Sequence, residues 1–441
     1  MIRCDVTYSL TPVEQPEGTI INVGSGSGNL SFTQASTGAI NGDTILIAAG
    51  SYENIVIEDF LLITGQRVYI KNAGQVFVTG ECILDNLEGV TFAGDYINGM
   101  TKGFKFLDIP FRAIKLGTKF TRCTIKSMLF KDVADLAIAT EPNINEMAYL
   151  GTYQTRSEDN KFIDLEFDNA TGISIGGALS GDDNYDKGFQ KNIEIASCYF
   201  HNTDAGSCVY LGNVEAANVH HNRFDNINAT NQNHNGITQM NGNGDYHHNY
   251  VSNHQGDAIR AWIYSRGTTV RQKCRIFNNI VANSRKYSAF EFQGFARYII
   301  AGKTIAADGE CFNNTCFNLH YEDISDGRYP GFGNYHGVIL DTYGLFGGTC
   351  KAWNNVGVQF PFKAGGTNPL WGNALPDNTY DNTNRYYDTL ADAGLSSDGL
   401  FTVLNGSGTY SGDYRVDGYG ITDYYDHVRQ APQTIGAVQK L

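Results

Sequence analysis

Residues 218–226 (NVHHNRFDN) and 245–253 (DYHHNYVSN) are two copies of one phrase. Looser copies stand at 192–202 (NIEIASCYFHN), 275–283 (RIFNNIVAN) and 311–318 (CFNNTCFN). Each leads into a second short run: 208–211 (CVYL), 236–240 (GITQM), 258–262 (AIRAW), 289–293 (AFEFQ) and, after a long insertion, 337–341 (GVILD). Each unit is therefore two short strands with an Asn between or after them. Repeats of this size mean stacked supersecondary units, each burying its apolar face on its neighbours. Asn suits the corners, because it tolerates left-handed backbone and its amide can bond to the same corner one coil on. Such ladders follow from coils repeating at the inter-strand spacing of about 4.8 Å. The expected fold is all-β: a single-stranded right-handed parallel β-helix. One coil needs roughly 22 residues where loops are short.

The rest of the chain agrees. Period-2 alternation begins near Thr44 and recurs at 52–57, 68–70 and 76–78, with Gly, Asn or Asp between the runs. No amphipathic helix of three turns stands out, and residues 387–396 read at most as one short helix. Tyr 26 and Phe 25 against Met 5 and Trp 3 favour strands. At 441 residues the length alone suggests about three domains, but a solenoid grows in one dimension and needs no new core. Hydrophobic residues at 41% exclude wholesale disorder. No run of 18 apolar residues exists, so no membrane-inserting helix is expected. The net charge is 32 − 46 = −14, which opposes non-specific nucleic-acid binding. The nine cysteines hold no CxxC pair and read as buried free thiols. The N-terminus lacks a basic region followed by an apolar core. An extracellular protein is expected, either with its leader removed or released by another route such as assembly on a phage particle.

A family resemblance rests on both ends of the chain. Residues 29–57 look like the first coil of pectate-lyase-like β-helix proteins, with Gly42-Asp43-Thr44-Ile45 and Ala49-Gly50-Ser51-Tyr52 in place of their GDTI strand and PGTY turn. Ala49 replaces the usual proline. Residues 412–416 (GDYRV), 425–429 (YDHVR) and 434–438 (TIGAV) resemble the closing segment of secreted bacterial members. That superfamily holds lyases, hydrolases, epimerases and non-catalytic adhesins, so the resemblance implies the fold rather than one activity. The implied organisation is an N-terminal extension over 1–28, a capped β-helix over 29–365, and an irregular segment over 366–441 that packs on the helix or closes its end.

Alternation along the second strand of each coil gives two outward columns. One holds Ser174, Tyr210, Thr238, Arg260, Glu291 and Ile339. The next holds Gly176, Gly212, Met240, Trp262, Gln293 and Asp341. Gln239 falls on inward parity and breaks the pattern. The groove so formed suits an extended polymer, with Tyr210, Trp262 and Gln293 against sugar rings. Between 260 and 303 lie nine cations, among them Arg285 and Lys286, and a single acid, Glu291. That strip points to an acidic polysaccharide, since Arg forks match carboxylates.

Two chemistries fit such a groove. The lyases of the resembling family place a Lys and an Arg on neighbouring coils, some with calcium. Arg260 fits the Arg and Lys286 is the available partner, but Thr238 stands where the Lys belongs and no acidic cluster for calcium is evident. Calcium is thus the one cofactor left open, and other cofactor motifs do not occur. A glycoside hydrolase needs two carboxyls about 5–10 Å apart, and Glu291 with Asp341 is the candidate pair. Arg260, Glu291 and Asp341 are therefore the expected catalytic residues. The different-class alternative is a non-catalytic receptor-binding spike or adhesin, trimeric if it belongs to a phage tail. The His-His-Asn triplets at 220–222 and 247–249 read as stacked surface His. Neighbouring His on one strand face opposite sides, so no metal site is expected there.

Overall fold

The computed structural model describes residues 18–140, 156–177, 188–228, 236–322, 338–360, 370–372, 378–404, 422–428 and 436–438. It is nearly all β, with 57% strand and 2% helix. The chain winds as a right-handed parallel β-helix, in which each coil contributes to three parallel sheets. The first sheet opens with Ile20–Val23, Thr44–Ile47 and Val68–Asn72 and reaches Lys273–Phe277, Asp308–Phe312 and Cys350–Trp353. The second includes Tyr199–Thr203, Arg223–Ile227, Tyr250–His254, Ile280–Ser284 and Thr315–Leu319. The third carries the starts of Val209–His220 and Gly236–His247, then Asp257–Ile263, Phe290–Gln293 and Leu340–Tyr343. Pairing runs from Ile20 to Tyr387, on both sides of the 29–365 span.

Two Asn ladders hold the corners in register, and they divide the work differently. Between the first and second sheets, Asn222, Asn249, Asn279, Asn314, Asn355 and Asn384 are buried. Their sequence separations are 27, 30, 35, 41 and 29. From Asn249 on, each side-chain oxygen accepts the amide of the Asn one coil before, at 2.9–3.1 Å, and that residue's backbone N–H as well. The left-handed turn falls on the residue in front: His221, His248, Asn278, Asn313 and Asn354, with φ of 54–56°. At the solvent-side corner after the second sheet, one residue does both jobs. Asn202, Asn226, Asn253, Asn283 and Asn318 all have φ of 51–57°. Asn226 donates to Asn202, Asn283 to Asn253 and Asn318 to Asn283, while Asn253 donates to the neighbouring Asp225.

Equivalent rings stack where coils repeat. Inside, Phe106, Phe130, Phe167, Phe200 and Phe224 form a column with centroids 4.5–5.0 Å apart. On the outer side of the first sheet, His220, His247, Phe277, Phe312 and Trp353 stack at 4.4–5.0 Å. Eight described cysteines are free and buried, as expected. Residues 387–396 form turns with one helical bond, Ala393 N to Thr389 O, in place of a helix. Described parts of the C-terminal segment lie on the second sheet, where Phe401, Ala437 and Val438 pack against Ile280, Val356 and Val358. Residues 412–416, which carry part of the family resemblance, lie outside the described residues. Among the described residues no helix is long and apolar enough to cross a membrane.

The buried ladder carries more stability than the solvent-side one. Asn279→Ala strands the N–H of Asn249 and the C=O of Tyr246 in the interior, and a cost of about 3–5 kcal/mol is expected. Asn283→Ala places Ala in a left-handed corner, for about 1–2 kcal/mol. Urea unfolding midpoints of the two variants check this, and equal shifts would contradict the division of roles.

Candidate functional site

The third sheet brings the expected catalytic residues into one column, by a different register from the expected one. Tyr210 pairs with Gln239, Gln239 with Arg260, Arg260 with Glu291 and Glu291 with Asp341. Thr238 faces the core between Val209 and Ile259 and is fully buried. Asp341 thus moves from the second column into the first, and Ile339 leaves it. The second column becomes Asn241, Trp262, Gln293 and Tyr343. The physical reason lies in the strand ends. Val338, Ile339 and Leu340 are all buried, so alternation has no phase there.

Arg260 is the hub. Its Nε lies 3.1 Å from Glu291 Oε1 and 3.9 Å from Asp257 Oδ2. Its side chain is 15% exposed, against 2% for Glu291. Asp341 is 1% exposed, and its Oδ2 accepts from Ser288 Oγ at 3.1 Å. Gly372 closes over this carboxylate: a Cβ there would sit 1.9 Å from Asp341 Oδ1, so only glycine fits. Burial pushes the Asp257 carboxyl up to about 7, against the pull of Arg260 and of the backbone N–H groups of Ser288 and of Asp257 itself. Two carboxyls thus flank one guanidinium, a third stands one strand further on, and Asp257 holds its proton near neutrality. Pairs of carboxyls with separated proton affinities are the ordinary equipment of acid–base chemistry.

Asp257 and Ser288 escaped the sequence reading, and Gln239 entered it only as a break in the alternation. The signal for Asp257 was present: it falls on inward parity with Ile259, and an acid in an inward slot is a buried acid.

The remaining expected contacts are placed as follows. Tyr210 is mostly buried, and its hydroxyl accepts from Asn241 Nδ2 at 3.1 Å. Trp262 meets Phe295 edge-on at 5.3 Å, beside the buried Tyr264–Tyr298 pair. Gln293 stays partly exposed beside it. Arg285 and Lys286 are not in the columns. They lie at the turn before Phe290–Gln293, with Arg285 paired to Glu322 at 3.1 Å and Lys286 fully buried over Tyr287.

The expected basic strip is not present as a strip. Its cations spread around the coil and meet acids from neighbouring coils. Arg271 faces Asp308, Lys273 faces Glu310, and Arg275 bridges Asp245 and Glu310. Arg266 lies over Phe189 and donates to Asn213. Arg297 covers Phe295. Acids of other coils thus offset Arg271, Lys273, Arg275 and Arg285, a part of the charge excess seen along the chain.

The His-His-Asn triplets stack as expected: His220 on His247 at 5.0 Å and His221 on His248 at 4.7 Å. A hydrogen bond from His220 holds the Glu194 carboxyl down at about 2.

No protein-family model matches the chain, and neither does any curated protein. Among solved structures it is similar to a PL6 family polysaccharide lyase from Pseudopedobacter saltans, at 11% identity and a TM-score of 0.45, over 83% of this chain and 94% of that one. It is also similar to an alginate lyase from Paenibacillus sp. str. FPU-7, at 14% identity and a TM-score of 0.44, over 80% of this chain and 99% of that one. At these TM-scores the likeness carries no argument, and the fold rests on the strand ladder alone.

Proposed function

We propose that this is a carbohydrate-active β-helix protein that engages an extended extracellular polysaccharide along the third sheet and hydrolyses it. The observation that supports this reading is the register itself, which puts Glu291 and Asp341 directly opposite each other beside Arg260. Adjacent parallel strands lie about 4.8 Å apart, the range in which two carboxyls act as acid and nucleophile on a glycosidic bond. One protonates the leaving oxygen while the other attacks or stabilises the sugar cation. Asp257, protonated up to near neutral pH, leaves Arg260 to Glu291 and so biases which carboxyl of the pair carries the charge. Arg260 is the cation on the Tyr210 to Asp341 stretch of this column, and a sugar carboxylate is the group its fork fits. An acidic polysaccharide is therefore the proposed substrate class.

Hydrolysis is favoured over β-elimination by one position. The residue a coil before Arg260 is Gln239, and an amide cannot serve as the base that removes a C5 proton. A second reading, the non-catalytic spike or adhesin, is favoured by the near-complete burial of Glu291 and Asp341. In that case the charge cluster only stiffens a glycan-gripping face.

A panel of uronate and neutral polysaccharides separates these readings. New reducing ends without an unsaturated product are expected, with Glu291→Gln and Asp341→Asn each slower by about 100-fold or more. Unsaturated products would replace hydrolysis by elimination. Glycan binding with no cleavage of any polymer would leave the adhesin.

Asp257 also predicts a pH dependence of stability. The folded carboxyl keeps its proton up to about 7, whereas the ordinary value is 3.8. The folded state thus binds more protons across that window, and stability falls as pH rises through it. Asp257→Asn should flatten the fall, and thermal midpoints of the two proteins between those pH values test it. Parallel profiles would contradict the assignment.

A further inference from the structure

The His stack and the C-terminal segment meet at a point outside the proposed sugar site. His221 and His248 occupy the same left-handed corner of successive coils. Their imidazoles, stacked at 4.7 Å, both face Asp426. His221 Nε2 lies 3.2 and 3.3 Å from the two oxygens of that carboxylate. His248 Nε2 lies 3.8 Å from Asp426 Oδ1 and 2.8 Å from the carbonyl oxygen of Asp423. Ligand atoms of His221, His248 and Asp426 all fall within 4.8 Å of one another.

A second column of imidazoles backs these ligands. His220 Nε2 lies 3.2 Å from Glu194 Oε1, and its Nδ1 lies 2.7 Å from His221 Nδ1. The next coil repeats the arrangement: His247 Nε2 lies 2.9 Å from Asn218 Oδ1, and its Nδ1 lies 2.7 Å from His248 Nδ1. Both ligand rings are thus held through Nδ1, with Nε2 turned to oxygen acceptors, the Asp426 carboxylate for His221 and the Asp423 carbonyl for His248. A cation that displaces hydrogen from these gaps gains two imidazoles, a carboxylate and a carbonyl as donors at once.

We propose that His221, His248 and Asp426 form a binding site for a first-row divalent cation of the zinc type, with the Asp423 carbonyl or a water in the fourth position. Two imidazoles and a carboxylate are a zinc-like donor set. The outer partners Glu194 and Asn218, acting through His220 and His247, orient the ligands as such shells do. The ion joins two successive coils to the C-terminal segment, so its role is structural.

The test uses the full chain, stripped with a chelator and titrated with Co2+ and then Zn2+. One equivalent of Co2+ should give the visible absorption of a tetrahedral site, Zn2+ should displace it, and the thermal midpoint should rise with Zn2+. Asp426→Asn and His221→Asn are the variants of choice. Both positions have positive φ, of 63° and 55°, and Asn accepts that backbone. Each should keep the metal-free thermal midpoint and weaken binding by about 100-fold or more. Absence of both the Co2+ spectrum and a Zn2+-dependent midpoint shift would overturn the proposal. So would variants that bind as the parent does.

Discussion

Every feature of this molecule depends on one constraint: a residue must find its equivalent at the same place one coil on. A parallel strand gains its backbone bonds from two neighbours at once, and a slip of one residue would turn each side chain to the other face. The buried Asn column enforces the match. Each amide is both donor and acceptor, and each also satisfies backbone groups that no sheet reaches at a corner. Insertions are tolerated between these fixed points, which is why separations of 27 to 41 residues leave the ladder unbroken.

The same constraint makes the candidate site. Nothing in a single coil assembles this guanidinium and its three carboxyls. Asp257 and Arg260 come from one strand, Glu291 from the next coil and Asp341 from the one after. Stacking places them on adjoining strands while keeping them nearly dry, which raises one proton affinity and strengthens the ion pair beside it. The cluster is costly to bury, and residues such as Ser288 and Gly372 are committed to accommodating it.

How far this was legible from sequence differs by residue. The fold was, because the repeated corner phrase has a physical cause at each position. So was the pairing of Arg260 with Glu291, where alternation of large apolar and polar residues is clean. It failed at Gln239 and Asp341. In Ile237-Thr238-Gln239-Met240, Ile237 and Met240 are both fully buried although three apart, so alternation gives two answers. Val338 to Leu340 is apolar throughout and gives none. The basic strip misled for another reason. Its counter-charges Asp308, Glu310 and Glu322 stand 37 residues from their partners Arg271, Lys273 and Arg285, and proximity between coils is invisible along the chain. Asp426 is hidden for the same reason, at a far greater distance.

That distance has a consequence for biosynthesis. His221 and Asp426 are 205 residues apart in the chain, and Ala437 donates to Thr315 across 122. Coils near the first of these emerge from the ribosome long before their covering exists. During translation the growing end of the solenoid therefore exposes an unsealed outer surface, and residues made much later are the ones that fasten it. A ribosome paused between the two would hold a wound but unlatched polypeptide, and that interval is when a chaperone has most to do.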